Sequence, residues 1–153
     1  MADILIPTVA QGLMWALMAL GVYITFRVLD IADLSVEGSF PLGAAVAATA
    51  LVSGYGVTAA FLLAAVAGAL AGIVTGILTT KLKIPPLLAG ILTMIGLYSV
   101  NLHVMGKANV ALLRVDTVFS YAAGMGLTSD MAMMAVGLVG VMLVGVILYW
   151  FFG

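Results

Sequence analysis

The charged residues of this 153-residue chain fall into a few short clusters, and what lies between them is almost wholly apolar. Asp3 is followed by Arg27, Asp30, Asp33 and Glu37, then Lys81 and Lys83, then Lys107, Arg114, Asp116 and Asp130. The intervening uncharged stretches are Ile4 to Phe26, Gly38 to Thr80, Ile84 to Gly106 and Met131 to Gly153, of 23, 43, 23 and 23 residues. A helix crosses a hydrocarbon core of about 30 Å with about 20 apolar residues. Three stretches therefore read as single spans, and the longest is long enough for two. Within it, Ser53-Gly54-Tyr55-Gly56 supplies a turn.

Composition leaves no soluble alternative. Hydrophobic residues make up 65% of the chain and charged residues 7%, against about 25% charged in an ordinary soluble domain. Mean hydropathy is +1.35. Too few polar side chains remain to cover a soluble core, and there is no basic stripe for nucleic acid. With no cysteine, disulfides and thiolate metal sites are excluded. The expected fold is all-α: one polytopic membrane helix bundle over residues 1–153, with about five hydrophobic segments near 4–26, 38–53, 57–80, 84–105 and 131–152. The second segment is short for a crossing, so it is expected to be broken, half-length, or extended by residues of the preceding loop.

The segment ends carry helix signals. Pro85 and Pro86 stand where a missing N–H costs little. Thr128, Ser129 and Asp130 offer capping oxygens to the last segment. The first segment lacks a basic n-region and is too long for a signal core, so it reads as a retained span. The connector of residues 106–130 is fairly apolar, with Val110 to Leu113 and Val118 to Ala123 suited to the interface or to dipping back into the protein. Five crossings place the termini on opposite sides. Arg27, Lys81 and Lys83 then face Lys107 and Arg114 across the membrane, which favours N-out, C-in by one residue.

Small residues mark candidate packing faces. Ala64, Gly68, Gly72, Gly76 and Thr80 recur every four positions on the third segment, so a neighbouring backbone could approach closely there, in this chain or in another subunit. Polar residues are fewer. Asp30, Asp33 and Glu37 would share one helix face and could bind a cation or relay protons, although Ser35, Gly38 and Pro41 favour a solvated loop. Asn101 and His103 fall in the last turn of the fourth segment, where reaching interfacial water is the simpler role. No Ser/His/Asp arrangement, phosphate loop or HExxH motif is present, so no catalytic residue and no metal site is assigned.

Two segments carry a resemblance. DLSVEGSFPLGAAVAA (33–48) and KLKIPPLLAGILTMIGLYSVNL (81–102) resemble the membrane-spanning permease subunit of ABC importers, in the branched-chain amino acid and ribose group and its aromatic amino acid relatives. GALAGIVTGIL (68–78) is similar to the glycine-rich helix between them. The likeness implies a translocation path for a small polar solute, most readily an amino acid, in the cell inner membrane. It also implies a second permease subunit, cytoplasmic ABC ATPases that bind ATP-Mg, and an extracytoplasmic substrate-binding protein, with no cofactor in this chain itself. Family permeases are longer and carry a second set of spans, so the sequence matches their N-terminal half. It is then either a fragment of a longer permease or a half-size subunit completed by another chain.

The candidate path or gate residues are Asp33, Ser35, Glu37, Ser39 and Asn101, with Gly68, Gly72 and Gly76 as helix-packing positions. A non-transporting membrane scaffold that uses the glycine face, and an ion-coupled carrier that uses Asp30, Asp33 and Glu37, remain as alternatives.

Overall fold

The computed structural model describes residues 2–31, 33–112, 115–117, 120, 124, 126 and 128–152. Among these residues all the extended regular elements are α-helices: α1 (Ala2–Leu29), α2 (Val36–Val52), α3 (Val57–Thr80), α4 (Pro86–Met105) and α5 (Ser129–Phe152). Four of them, α1, α3, α4 and α5, are long and apolar enough to cross a membrane, and α2 is a shorter apolar helix. Arg114 and all but Ser120 of Val118 to Ala123 lie outside the described residues.

Local chemistry sets the helix ends. At the end of α2, Gly54 takes φ +88. The N–H of Tyr55 then bonds the carbonyl of Ala50 at 3.1 Å, and that of Gly54 bonds Leu51 at 3.1 Å. This is the six-to-one and five-to-two pattern that a left-handed glycine makes accessible, and it lets a short turn lead into α3. Gly106 closes α4 in the same left-handed region, at φ +63. Pro86 opens α4 at a position where no helical N–H is missed. Thr128 caps α5, its Oγ1 accepting the Met131 N–H at 3.4 Å.

The second helix is an unbroken 17-residue element that has taken Val36 and Glu37 from the preceding loop. Glu37 therefore sits in its first turn, where a negative charge meets the positive end of the helix dipole. Pro41 lies inside α2. Lacking an N–H, it cannot donate to the Glu37 carbonyl one turn earlier.

Two compact units are present. In the first, residues 1–21 and 118–153, the N-terminal part of α1 pairs with α5. A Cβ built on Gly137 would stand 2.9 Å from Leu13 Cβ, and one on Gly140 would stand 3.3 Å from Leu17 Cδ1. Both leucines are seated against glycine, and Ala10 and Ala132 are fully buried. Small residues let two apolar helices approach where hydrophobicity supplies no preference over lipid.

In the second unit, residues 22–117, α2 packs on both α3 and α4. The N-terminal end of α2 lies beside the middle of α4, since a Cβ on Gly38 would stand 2.9 Å from Met94 Cα and 3.2 Å from Leu97. Its other end reaches the end of α4, where Thr49 Oγ1 donates to the Val104 carbonyl at 3.4 Å. The two helices thus run in the same direction, and α3 runs back between their ends. On α3 the buried residues are Ala60, Ala71 and Thr75. Gly68, Gly72 and Gly76 lie about one residue round the helix, with no neighbouring atom within 4 Å of an added Cβ. Within this chain the glycine face packs against nothing described.

Candidate functional site

Both segments that carry the resemblance meet in the second unit. Asp33 Oδ1 accepts the Ser35 N–H at 2.8 Å, folding residues 33–35 into a tight turn ahead of α2. That turn rests on α4 at Gly90, where a Cβ would stand 3.0 Å from Asp33 Oδ1, 3.1 Å from Leu34 N and 3.3 Å from Ser35 N. Four residues further along α4, Met94 backs onto Gly38. One turn and one helix start are therefore held by two glycines on opposite partners.

Thr75 and Thr93 tie α3 to α4. Their hydroxyl oxygens are 3.0 Å apart, both residues are buried, and Thr75 Oγ1 also lies 3.3 Å from the Ala71 carbonyl. A paired hydroxyl satisfies in place what a buried lone one would leave unmet.

Between α2 and α4 lies a groove of about 810 Å³. Pro41, Ala44 and Ala48 give it a wall of short side chains, and Met94, Tyr98 and Leu102 face them from α4. Glu37 and Asn101 also line it. Glu37 is exposed, at the end where α2 begins. Asn101 is only 7% exposed, and its Oδ1 is buried with no hydrogen-bond partner among the described residues. The groove is therefore an apolar slot with a carboxylate near one end and a mostly buried asparagine in its wall.

The remaining candidates fall elsewhere. Asp33 lines a smaller recess of about 320 Å³ with Gly72, Thr75 and Gly76. Ser35 is 3% exposed and serves the turn through its N–H. Ser39 Oγ donates to the Val36 carbonyl at 3.4 Å and is half-buried. Of the last-turn polar pair on α4, His103 is exposed while Asn101 points away from water. Asp30 ends α1 at φ +56, its N–H bonded to the Phe26 carbonyl at 2.9 Å. Among the described residues no three acidic or histidine side chains converge as a metal site would require. Sequence reasoning missed Gly90 and Thr75. The only signal was a glycine after an I-P-P helix start, and a lone threonine in an apolar helix.

Residues 4–152 match the family described as branched-chain amino acid transport system / permease component. A protein named tyrosine transport system permease protein, from Clostridioides difficile (strain R20291), is 46% identical over 116 residues, covering 76% of this chain and 39% of that protein. An uncharacterized protein of Rickettsia prowazekii (strain Madrid E) is 37% identical over 118 residues, covering 77% of this chain and 41% of its own length. The chain thus spans about two fifths of the length of these relatives. No solved structure matches. With four helices long enough to span and a family match over nearly every residue, this multi-pass membrane chain belongs to the branched-chain amino acid transport system permease family.

Proposed function

We propose that the chain forms part of the translocation path of an ATP-driven importer for amino acids, with an aromatic amino acid as its solute. The family match over residues 4–152 carries this reading. The Clostridioides relative, named for tyrosine transport, supports the choice of solute. The chain supplies a membrane-spanning permease segment in the inner membrane and performs no bond-making step. Energy comes from cytoplasmic ATPase subunits that bind ATP-Mg, and solute is delivered by an extracytoplasmic binding protein. A second permease subunit completes the path. The glycine face of α3, open within this chain, is where another helix of that assembly fits.

The test is uptake by the complete transporter, reconstituted in proteoliposomes with its ATPase and binding protein. Labelled tyrosine should accumulate only when ATP is present and hydrolysable, and should continue when proton and sodium gradients are collapsed. Uptake that follows either ion gradient instead would replace this reading with an ion-coupled carrier.

A further inference from the structure

The second helix begins well inside the span of the helices it packs on. Gly38 abuts Met94, eight residues past the start of α4 at Pro86, which is about 12 Å along the helix axis. The register between α3 and α4 agrees. Thr75 bonds Thr93, and α3 runs only five residues, about 8 Å, beyond Thr75 before it stops at Thr80. Lys81 and Lys83 follow at once and are exposed, which marks headgroup level. Glu37 in the first turn of α2, and the Asp33–Ser35 turn seated on Gly90, therefore lie roughly 6–12 Å below that level. Non-helical backbone and a carboxylate at such depth are tolerated only where protein covers them or where they line water. Two observations favour water. Glu37 is exposed, with no hydrogen bond or ion pair to its carboxylate among the described residues. The first turn of α2 also has no side-chain cap, and water is the ordinary acceptor for helix-end donors left so.

We propose that the start of α2 lines a water-filled vestibule entering the membrane from the Lys81–Lys83 end, and that Glu37 on its wall receives the ammonium group of the solute. A carboxylate beside low-dielectric walls focuses the field there, so it gathers cations and turns anions away. Pro41, Ala44 and Ala48 continue inward from Glu37 as short apolar side chains. The site therefore holds the positive end of a solute and leaves room beyond it for an apolar body, which fits an amino acid held by its ammonium group. This proposal rests on the reading of the chain as an amino acid permease segment.

These 153 residues contain no cysteine, so Pro41→Cys places a unique thiol one helical turn from Glu37 on the same face of α2. The complete transporter, with any cysteines outside this segment changed to serine, is held in lipid nanodiscs, which open both faces to water. Two water-soluble methanethiosulfonates of opposite charge, one a trimethylammonium and one a sulfonate, are each scored against their rate on a small free thiol. Both should modify the site, with the cation favoured about tenfold, and Glu37→Gln should remove that preference. Tyrosine and tyramine should slow modification, and the deaminated analogue 3-(4-hydroxyphenyl)propionate should protect far less. Glu37→Gln should erase this difference too. Ala44→Cys, exposed on the same lining, gives the same readings where Pro41→Cys fails to assemble. A thiol that neither charged reagent reaches overturns the vestibule, because protein or lipid then covers it. Absence of a charge preference overturns the free carboxylate, as a lysine of another helix already paired with Glu37 would produce. Protection that is absent, or that does not need the ammonium group, overturns the solute role. ATP-driven tyrosine uptake by the cysteine-free transporter in proteoliposomes is scored separately. Uptake without protection overturns the site alone, whereas charge preference and protection without uptake overturn the importer reading and leave the site standing.

Discussion

Gly90 lies directly against the Asp33 carboxylate: a methyl group at Gly90 would stand 3.0 Å from Asp33 Oδ1, tighter than ordinary van der Waals contact. The same carboxylate oxygen accepts the Ser35 N–H. The turn that starts α2 is thus shaped by its own hydrogen bond and seated by the absence of a side chain on α4. Gly90→Ala should cost about 1–3 kcal/mol by overpacking. Asp33→Ala should cost about 1 kcal/mol through loss of the bond, and Asp33→Asn should recover much of it. Because the two positions share one turn, the double variant Gly90→Ala, Asp33→Ala should fall short of the sum. Reversible unfolding of the permease in mixed micelles reads all four, and strict additivity would show that the turn does not depend on Gly90.

Gly38 admits a sharper contrast. An added Cβ there meets the Met94 backbone at 2.9 Å, whereas one at Gly43 meets only the Ala64 carbonyl oxygen at 3.9 Å. Gly38→Ala should lower the unfolding midpoint and Gly43→Ala should leave it nearly unchanged. Equal effects would mean that α2 and α4 can separate without strain.

The Thr75–Thr93 pair should behave as a unit. Thr75→Val removes the partner of the buried Thr93 hydroxyl and should cost about 1 kcal/mol, in keeping with interhelical bonds in membranes, whereas Thr93→Val leaves Thr75 its Ala71 carbonyl and should cost less. Replacing both should cost less than the sum of the single changes. A double-mutant cycle measures the coupling, and a coupling of zero would leave only the Ala71 carbonyl as partner for Thr75.

Leu13 and Gly137 predict a rescue. Gly137→Ala brings a Cβ to within 2.9 Å of Leu13 Cβ and should loosen the pairing of α1 with α5. Converting Leu13 to glycine as well should restore part of the lost stability by removing the opposing atom. Crosslinking between cysteines placed on the two helices follows the pairing directly, and no recovery in the double variant would show that the helices meet elsewhere.

Gly72→Leu separates packing inside the chain from packing outside it. Among the described residues no neighbouring atom stands within 4 Å of a Cβ added there, and the leucine would extend towards the small recess that Gly72 lines, so unfolding of the permease monomer should change little. Copurification with a second permease subunit should fall if the face is an assembly contact. Intact assembly would remove the glycine face from the proposed interface.

Charge spacing alone makes the helices legible. The four uncharged runs correspond to the long apolar elements, and the Ser53–Gly56 turn is readable because a left-handed glycine has no cheap substitute. Direction round each helix is what such spacing hides. Five small residues every four positions mark a face of α3 but not which face finds a neighbour, and the buried one carries Ala71 and Thr75 instead. The Asp33 to Glu37 stretch looks like loop because serine, glycine and proline break its pattern. Contact between Gly38 and α4 explains why the helix starts at Val36 instead. Asn101 is similar: position in a last turn suggests water, yet depth depends on what packs beside that turn, which no spacing rule contains.

The short second helix has a consequence for the lipid around it. Its 17 residues amount to about 25 Å, roughly one helical turn less than a hydrocarbon core of about 30 Å. One of its flanking turns must sit below the level of the headgroups, or the acyl chains beside α2 must shorten to meet it. In the second case the bilayer thins beside α2, and this part of the molecule is most at ease in thin membranes.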